Sequence, residues 1–303
     1  MAMSKRDRVI AEIDSGGEIA ETARGPVEFQ RRGEPPYILV LHGTPGGHNQ
    51  SFFAEDFERE GFGTITPSRP GYLRTPLETG PGFDAAADAC AALLDTLDIE
   101  RVAGYAVSGG GPTGIEFAAR HPDRINSLIL EVAVSGTYKP EVSAAAMAMM
   151  SNPFVSWLQR LLLARLPKVM VSQMVKMEST LSAEDRARVT QDILTNRDKV
   201  ELLRQLMNSM PRFDLLRSGF ANDLSRFAAI ERLPMEAITC PTLVSHGTHD
   251  DDVPFAHGET SAREIVGAQL HRVEKGWHLL ALGDGADEVR RVQIEFLRKH
   301  AGT

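Results

Sequence analysis

The chain has 303 residues, of which 42% are hydrophobic and 24% are charged, as in a soluble globular protein. This composition excludes a collagen-like, coiled-coil or disordered chain, and the length is enough to bury a large core without disulfides. Acidic residues (41) outnumber lysine and arginine (33), so the net charge of −8 argues against nucleic acid or an anionic membrane as the main partner.

The cysteine content and the N-terminus predict the compartment. The two cysteines, Cys90 and Cys240, exclude a disulfide scaffold and fit a reducing environment. No apolar run reaches the roughly 18 residues of a membrane span. The N-terminal residues carry charges where a signal peptide needs an apolar segment. We therefore expect a soluble, cytoplasmic protein.

The first third of the chain alternates short apolar runs with segments of helical periodicity. Two weak polar strands are predicted within residues 18–31, and the run YILVL at 37–41 is continuously apolar, as in a strand buried on both faces. Further strands are predicted at 62–66, 101–107 and 126–132, and helices at 83–97 and 110–121. This alternation predicts an α/β fold with a mostly parallel central sheet flanked by helices.

The pattern changes after Gly136, because no convincing strand occurs between there and residue 232. Helical periodicity is found instead at 142–150, 154–166, 169–178, 183–194, 199–207 and 213–230. Beyond Pro241 the alternation resumes, with strands at 242–246 and 269–273 and helices at 262–266 and 286–300. A stretch this long is not a plain loop. We predict an α/β core of residues 1–136 and 233–303, interrupted by a helical segment, residues 137–232, called the insertion below.

The strongest functional signal is the segment GYAVSGGG at 104–111, where a predicted strand ends and a helix begins. Small residues, Ala106 and Gly110, stand two positions before and after Ser108. This spacing is needed at a strained strand-to-helix turn, because larger side chains would clash as the chain folds back. Such a turn exposes the Ser108 hydroxyl and presents the N–H of Gly109 to a developing anion. A phosphate-binding loop is the alternative, but neither GxGxxG nor GK[ST] fits.

A second glycine-rich segment, HGTPGG at 42–47, follows the first buried strand. An oxyanion hole needs another N–H from a loop after an earlier strand, and Thr44 is the candidate donor. The glycines allow this loop to approach Ser108 closely. An ordinary glycine-rich turn is the alternative interpretation.

An acid that orients a base is expected after a late strand. The strand at 242–246 leads into GTHDDDVP, in which Asp250 would emerge at the carboxyl edge of the sheet, where open α/β sheets bind ligands. Asp251 and Asp252 are adjacent alternatives for the same role. His246 and His249 beside these aspartates offer a metal site as a further alternative, although the spacing is not a recognised ligand pattern.

The predicted base is His278, in the segment KGWH after the last strand. The order Ser108, Asp250, His278 along the chain is that of the α/β-hydrolase triad. The other histidines downstream of the acid lie on the adjacent loop, inside a predicted strand and at the C-terminal tail, namely His257, His271 and His300.

On these segments the chain resembles the α/β-hydrolase superfamily, in particular its bacterial serine hydrolases that carry a cap, over nearly its whole length. The resemblance implies that Ser108 is the nucleophile, that His278 is the general base and then acid, and that Asp250 orients it. It also implies that Thr44 and Gly109 donate the N–H groups of the oxyanion hole, and that the insertion forms a cap over the pocket.

HGTPGG is also similar to the HGGPGG of prolyl aminopeptidases, from which the rest of the chain departs. Those enzymes usually carry tryptophan directly after the serine, where this chain has Gly109. Their loop after the next strand usually reads Asp-x-Arg-Gly-x-Gly-x-Ser, whereas residues 68–75 here read SRPGYLRT. Haloalkane dehalogenases and epoxide hydrolases of this fold use aspartate at the position of Ser108, which excludes both.

Methionines of the insertion bear on the substrate. Met170, Met174 and Met177 recur at helical spacing and therefore share one face. They either pack between helices of the insertion or form an adaptable wall for an apolar acyl or alcohol group. We predict that Met174, Trp157 and Trp277 bind substrate.

The sequence thus predicts a serine hydrolase that cleaves a carboxylic ester, or a related acyl bond, of a small and partly apolar substrate through an acyl-enzyme. No cofactor or metal is expected. Lactonase, thioesterase, carbon–carbon hydrolase, perhydrolase and prolyl-aminopeptidase-like activities stay open, because one constellation serves several chemistries. A ligand-binding or signalling protein of this fold is the non-enzymatic alternative. The expected partner is a small-molecule substrate, with no nucleic acid and no membrane; the sequence does not indicate an oligomeric state.

Overall fold

An eight-stranded sheet organises the part of the chain that the computed structural model describes, residues 17–140, 142, 147, 149, 152–209 and 213–300. In chain order the strands are β1 (Glu18–Thr22), β2 (Gly25–Arg32), β3 (Tyr37–Leu41), β4 (Gly63–Pro67), β5 (Val102–Val107), β6 (Ile125–Glu131), β7 (Thr242–Gly247) and β8 (Gln269–Val273). Across the sheet they lie in the order β1-β2-β4-β3-β5-β6-β7-β8. The pairs from β4 to β8 are parallel, and β1 and β2 are antiparallel at one edge. The predicted mostly parallel sheet is confirmed.

Helices cover both faces of this sheet. They are α1 (Glu55–Arg59), α2 (Phe83–Thr96), α3 (Gly111–Arg120), α4 (Pro153–Arg165), α5 (Pro167–Met177), α6 (Ala183–Thr195), α7 (Arg197–Ser209), α8 (Phe213–Ala228), α9 (Ala256–Glu264) and α10 (Ala286–His300). None of the helices in the described part of the chain is both long and apolar enough to cross a membrane.

The central strands are apolar on both sides because each side meets a different hydrophobic core. In β3, Leu39 and Leu41 belong to a core that α2 and α3 complete, while Ile38 and Val40 belong to a core that α1 and α10 complete. This division follows from the two-residue period of a strand. It explains why YILVL contains no charged residue and only one polar group, the Tyr37 hydroxyl.

Between β6 and β7 the described residues add no strand to the sheet and form α4 to α8. A single β-bridge joins Ser179, just after α5, to Asp250, just after β7. The helix predicted at 142–150 lies largely outside the described residues, of which Met147 and Met149 are helical. The rest of that helix stays a prediction.

The helix predicted at 262–266 is wrong in its bounds, since the structure has α9 at Ala256–Glu264. The buried residues of α9 are Gly258 and Ser261, which give no apolar periodicity. The apolar pair Ile265 and Val266 lies beyond its end. The prediction therefore followed side chains that belong to the turn before β8.

Candidate active site

Ser108 lies at the turn between β5 and α3. Its backbone φ of 50° is in the left-handed region, which is uncommon for a residue other than glycine and marks a strained turn. Gly110 is required here by a close approach, because a Cβ at that position would overlap the carbonyl oxygen of Leu41. The turn sets the Ser108 side chain at the carboxyl end of β5, where loops from the neighbouring strands reach it.

The imidazole of His278 lies between Ser108 and Asp250. His278 Nε2 is 3.0 Å from Ser108 Oγ, and His278 Nδ1 is 2.9 Å from Asp250 Oδ2. Asp250 follows β7 and His278 follows β8, so the parallel strands bring both side chains to the edge of the sheet that holds Ser108. The structure thus joins the three side chains that the sequence predicts as nucleophile, base and orienting acid.

Asp250 is held as a charged hydrogen-bond acceptor. Its Oδ1 accepts hydrogen bonds from the backbone N–H groups of Asp252 (3.0 Å) and Val253 (2.9 Å), and His246 Nε2 is 3.5 Å from Oδ2. Burial raises the pKa of Asp250, but the charge of His278 and hydrogen bonds from both histidines lower it below its usual value. An ionised Asp250 favours the His278 tautomer with a proton on Nδ1, which leaves Nε2 free to accept one.

A second carboxylate contacts the other ring nitrogen of His278. Asp252 Oδ2 is 3.3 Å from His278 Nε2, and the hydroxyl of Tyr138 donates a 2.5 Å hydrogen bond to Asp252 Oδ1. The sequence offers Asp252 only as an alternative to Asp250. Instead it faces the nitrogen that contacts Ser108, so the two aspartates act on opposite sides of one ring.

The insertion contributes a third carboxylate. Glu178 directly follows α5, and its backbone carbonyl accepts hydrogen bonds from the N–H groups of His278 (3.5 Å) and the exposed Asp251 (3.4 Å). Burial, together with the neighbouring aspartates, raises the pKa of Glu178 to about 7 although His278 lowers it. Burial lowers the pKa of His278, but Asp250, Asp252 and Glu178 raise it to about 9. Nothing in the local sequence around Glu178 predicts that it contributes to the pKa of His278.

The HGTPGG loop, residues 42–47, lies against Ser108. A Cβ on Gly43 would be 3.4 Å from the Cβ of Ser108, and a Cβ on Gly109 would overlap the hydroxyl of Thr44. Thr44 and Gly109 are therefore direct neighbours beside Ser108, as a pair of oxyanion donors requires. The missing side chain at Gly109 is what makes room for the Thr44 hydroxyl.

Thr44 also contacts a buried ion pair that no sequence motif indicates. Arg69 Nη2 is 2.8 Å from Asp223 Oδ2, and the two side chains are only 3% and 4% exposed. Arg69 belongs to the loop after β4, and Asp223 to α8 in the insertion. The pair is separated by 154 positions in sequence, so no local pattern links its members.

The predicted substrate-binding residues do not form one surface. Trp277 is fully buried in an apolar cluster with Val171 and Val175 of α5, so its side chain is part of a core and is not open to a substrate. The half-buried Met174 packs against the same cluster. The side chain of Trp157 lies outside the described residues. The prediction that Trp277 binds substrate is therefore wrong: its side chain packs the loop of the candidate base against the insertion.

The two histidines of the metal alternative each have another hydrogen-bond partner within the protein. His246 Nε2 is 2.8 Å from the carbonyl oxygen of Val253, and His249 Nδ1 is 3.0 Å from the hydroxyl of Thr248. Within the described ranges, no group of three or more histidine, cysteine, aspartate or glutamate residues is arranged to hold a metal ion.

The chain belongs to the α/β hydrolase fold family, whose model matches residues 36–284. It is 33% identical to YcgS, an uncharacterized hydrolase of Bacillus subtilis, over 90% of this chain and 95% of that protein. It is 28% identical to the 2-hydroxy-6-oxo-6-phenylhexa-2,4-dienoate hydrolase of Comamonas testosteroni, over 90% of this chain and 91% of that protein. An α/β hydrolase fold protein from Nakamurella multipartita has a TM-score of 0.87 and 35% identity, covering 93% of this chain and 99% of its own. The protein is a hydrolase of this fold.

Proposed function

We propose that this hydrolase cleaves a carboxylic ester, or a related acyl bond, of a small and partly apolar substrate. The observation that carries the proposal is the chain of contacts from Ser108 Oγ to His278 (3.0 Å) and from His278 to Asp250 (2.9 Å). A nucleophile, a base and an orienting acid within hydrogen-bond reach are what acyl transfer to serine requires.

In the first half of the reaction, Ser108 Oγ attacks the carbonyl carbon while His278 Nε2 takes the hydroxyl proton. The N–H groups of Thr44 and Gly109 stabilise the negative oxygen of the tetrahedral intermediate. His278 then gives its proton to the leaving alcohol, and the acyl group stays on Ser108. In the second half, water loses a proton to His278 and attacks the acyl carbon, which releases the acid and restores the serine.

The insertion serves in this proposal as a cap that shields the acyl-enzyme and selects the acyl group. Two contacts support this role. Trp277, directly before the base, is buried among residues of α5, and the carbonyl of Glu178 accepts the N–H of His278 at 3.5 Å. A cap that packs on the loop of the base excludes water from the reacting carbonyl and lets remote binding energy position it.

Hydrolysis of a carbon–carbon bond is a second candidate, because the Comamonas relative is named for a dienoate substrate. A carboxylate substrate is best held by a cation. Arg69, beside the HGTPGG loop, is already paired with Asp223, whereas Asp252 and Glu178 add negative charge around His278. These charges favour an uncharged acyl group, so the ester is the first candidate.

The test is steady-state hydrolysis of p-nitrophenyl acetate and butyrate by the wild type and Ser108→Ala. The variant is expected to lose kcat by on the order of 10⁴-fold with an unchanged circular dichroism spectrum, because nothing replaces the nucleophile. Ser127→Ala is the matched control, since Ser127 is also buried and its hydroxyl has no hydrogen-bond partner among the described residues. Equal turnover by wild type and Ser108→Ala would contradict the proposal, and a kcat/KM higher for a dienoate than for both esters would favour the second candidate.

A further inference from the structure

A buried network joins the HGTPGG loop to the last helix of the insertion. The guanidinium of Arg69 donates to both carboxylate oxygens of Asp223 (3.1 and 2.8 Å) and to the hydroxyl of Thr44 (2.8 Å). It also donates to the backbone carbonyls of His42 (3.1 Å) and Gly43 (3.3 Å). One guanidinium therefore holds three consecutive residues of the loop.

Thr44 is the residue at which this network meets the proposed oxyanion hole. Its hydroxyl donates to Asp223 Oδ2 at 2.5 Å and accepts from Arg69, so its donor and one of its lone pairs are used within the network. The hydroxyl of Tyr72 donates to the same Asp223 oxygen at 2.6 Å, and Tyr72 is fully buried. Arg69, Tyr72 and Asp223 are buried and Thr44 is half-buried, so water has little access to replace a hydrogen bond that Asp223 loses, and the orientation of Thr44 depends on Asp223.

Helix α8 is itself fixed against this region by one stripe of its surface. The buried residues of the stripe recur every four positions: Leu215, Gly219, Asp223 and Phe227. The N–H of Leu73 donates to the carbonyl of Leu215 (3.1 Å), and the N–H of Gly219 donates to the carbonyl of Gly71 (2.9 Å). The Phe227 ring lies 3.0 Å from where a Cβ on Gly109 would be. The helix that carries Asp223 is therefore held in register with both proposed donors.

We propose that Asp223 is a positioning residue of the oxyanion hole: through Arg69 and the hydroxyl of Thr44, it holds the backbone N–H of Thr44 at the place where the oxyanion forms. The inference rests on the proposed serine-hydrolase function and extends it to a residue of the insertion. Donors stabilise an oxyanion only when they are preorganised, and a misplacement of about 1 Å costs on the order of 10²-fold in rate. Asp223 acts without touching the substrate, so the insertion takes part in transition-state stabilisation as well as in selection.

The deciding variant is Thr44→Val, which removes the hydroxyl, keeps the shape and leaves the Arg69–Asp223 pair intact. We expect kcat for p-nitrophenyl acetate, per active site titrated, to fall by about 10- to 100-fold, while KM changes by less than about threefold. Phenylboronic acid, which forms a tetrahedral adduct on a catalytic serine, should bind more weakly by a similar factor. Thr44→Ser, which keeps the hydroxyl, should restore kcat to within about threefold of the wild type.

Asp223→Asn tests the residue in the insertion and should shift kcat and boronate affinity in the same direction as Thr44→Val. Its matched control is Glu131→Gln, because Glu131 is an equally buried carboxylate (4% against 3% exposed) that accepts a 2.5 Å hydrogen bond from Gln293 away from this network. Glu131→Gln should leave kcat and boronate affinity unchanged. If Asp223→Asn does not fold, Thr44→Val and Thr44→Ser still decide the matter.

The outcomes separate the inference from the function on which it rests. A folded Thr44→Val with wild-type kcat and boronate affinity overturns the inference and leaves the proposed function standing. A lower melting temperature with unchanged kcat per active site gives Thr44 a purely structural role and also overturns it. A wild type that neither hydrolyses an ester nor binds the boronate overturns the proposed function itself, before any variant is compared.

Discussion

The two ring nitrogens of His278 contact different carboxylates, Asp250 at Nδ1 (2.9 Å) and Asp252 at Nε2 (3.3 Å). In the proposed mechanism, Asp250 stabilises the imidazolium that forms during catalysis, as an orienting acid does. Asp252, by its contact with Nε2, stabilises the same imidazolium before the reaction, when it is the inactive form of the proposed base. The pKa of His278, raised to about 9, therefore keeps the base protonated over much of the neutral range.

This electrostatic arrangement predicts an unusual pH profile. Because a general base works only when unprotonated, kcat/KM should rise about tenfold per pH unit below the pKa of His278 and level off near pH 9. Asp252→Asn keeps an acceptor for Tyr138 but removes one charge, which lowers the pKa of His278. The rising limb should then move to lower pH, with kcat/KM at pH 7 increased by at least about threefold.

The control for this prediction is Asp251→Asn, which removes an exposed charge next to Asp252 in sequence. It should move the limb less than Asp252→Asn does, because solvent screens the charge of an exposed group. If the rising part of the kcat/KM profile of Asp252→Asn stayed at the wild-type pH or moved to higher pH, Asp252 would not raise the pKa of His278.

Residue by residue, sequence motifs locate Ser108, Asp250 and His278 because each follows a strand in a short and distinctive segment. The positions of Asp252 and Asp223 could not be predicted in the same way. Asp252 contacts His278 because of the conformation of the tight loop after β7. Asp223 contacts Thr44, from which it is separated by 179 positions in the sequence. The sequence does not distinguish Trp277 as a buried anchor from Trp277 as a pocket wall, because both have the same apolar composition.

At the scale of elements, helix α8 depends on a close approach to the loop after β4. A Cβ on Gly219 would overlap the ring of Tyr72, so Gly219→Ala should destabilise the protein by about 1–3 kcal/mol through overpacking. Helix propensity alone would favour alanine by about 1 kcal/mol. The sign of the change in the free energy of unfolding therefore distinguishes overpacking against Tyr72 from helix propensity. The measurement is the free energy of unfolding in urea.

Ser218→Ala on the exposed side of the same helix is the control for this element, and it should change stability by less than about 0.5 kcal/mol. If Gly219→Ala were as stable as the wild type or more stable, α8 would not be packed against Tyr72 as described.

Strands and helices were predictable to the extent that their buried faces are apolar. Strand β3 was predictable from the apolar run YILVL, and helix α2 was predictable from the helical periodicity of FDAAADACAALLDTL. The bounds of helix α9 could not be predicted because glycine and serine form its buried face. Local patterns thus predict elements that bury side chains of their own, and they miss elements that bury backbone.

At the scale of the whole molecule, the candidate site exists only when distant parts of the chain assemble. Ser108 and Thr44 come from the part of the core before the insertion, and Asp250 and His278 come from the part after it. The alternation of strands and helices predicts that these loops share one edge of a parallel sheet. It does not predict how the insertion docks on that edge, because docking depends on long-range contacts such as Trp277 with Val175.

The central claim is that Ser108 is the nucleophile of this assembly, and covalent labelling with a fluorophosphonate, read out by peptide mass spectrometry, tests it most directly. A phosphonylated serine mimics the tetrahedral intermediate, so labelling requires the nucleophile, the base and the oxyanion donors together. We expect one label per chain on Ser108, with esterase activity lost in proportion and no label on Ser108→Ala. A label on another residue, or an unlabelled protein that still hydrolyses esters, would contradict the account.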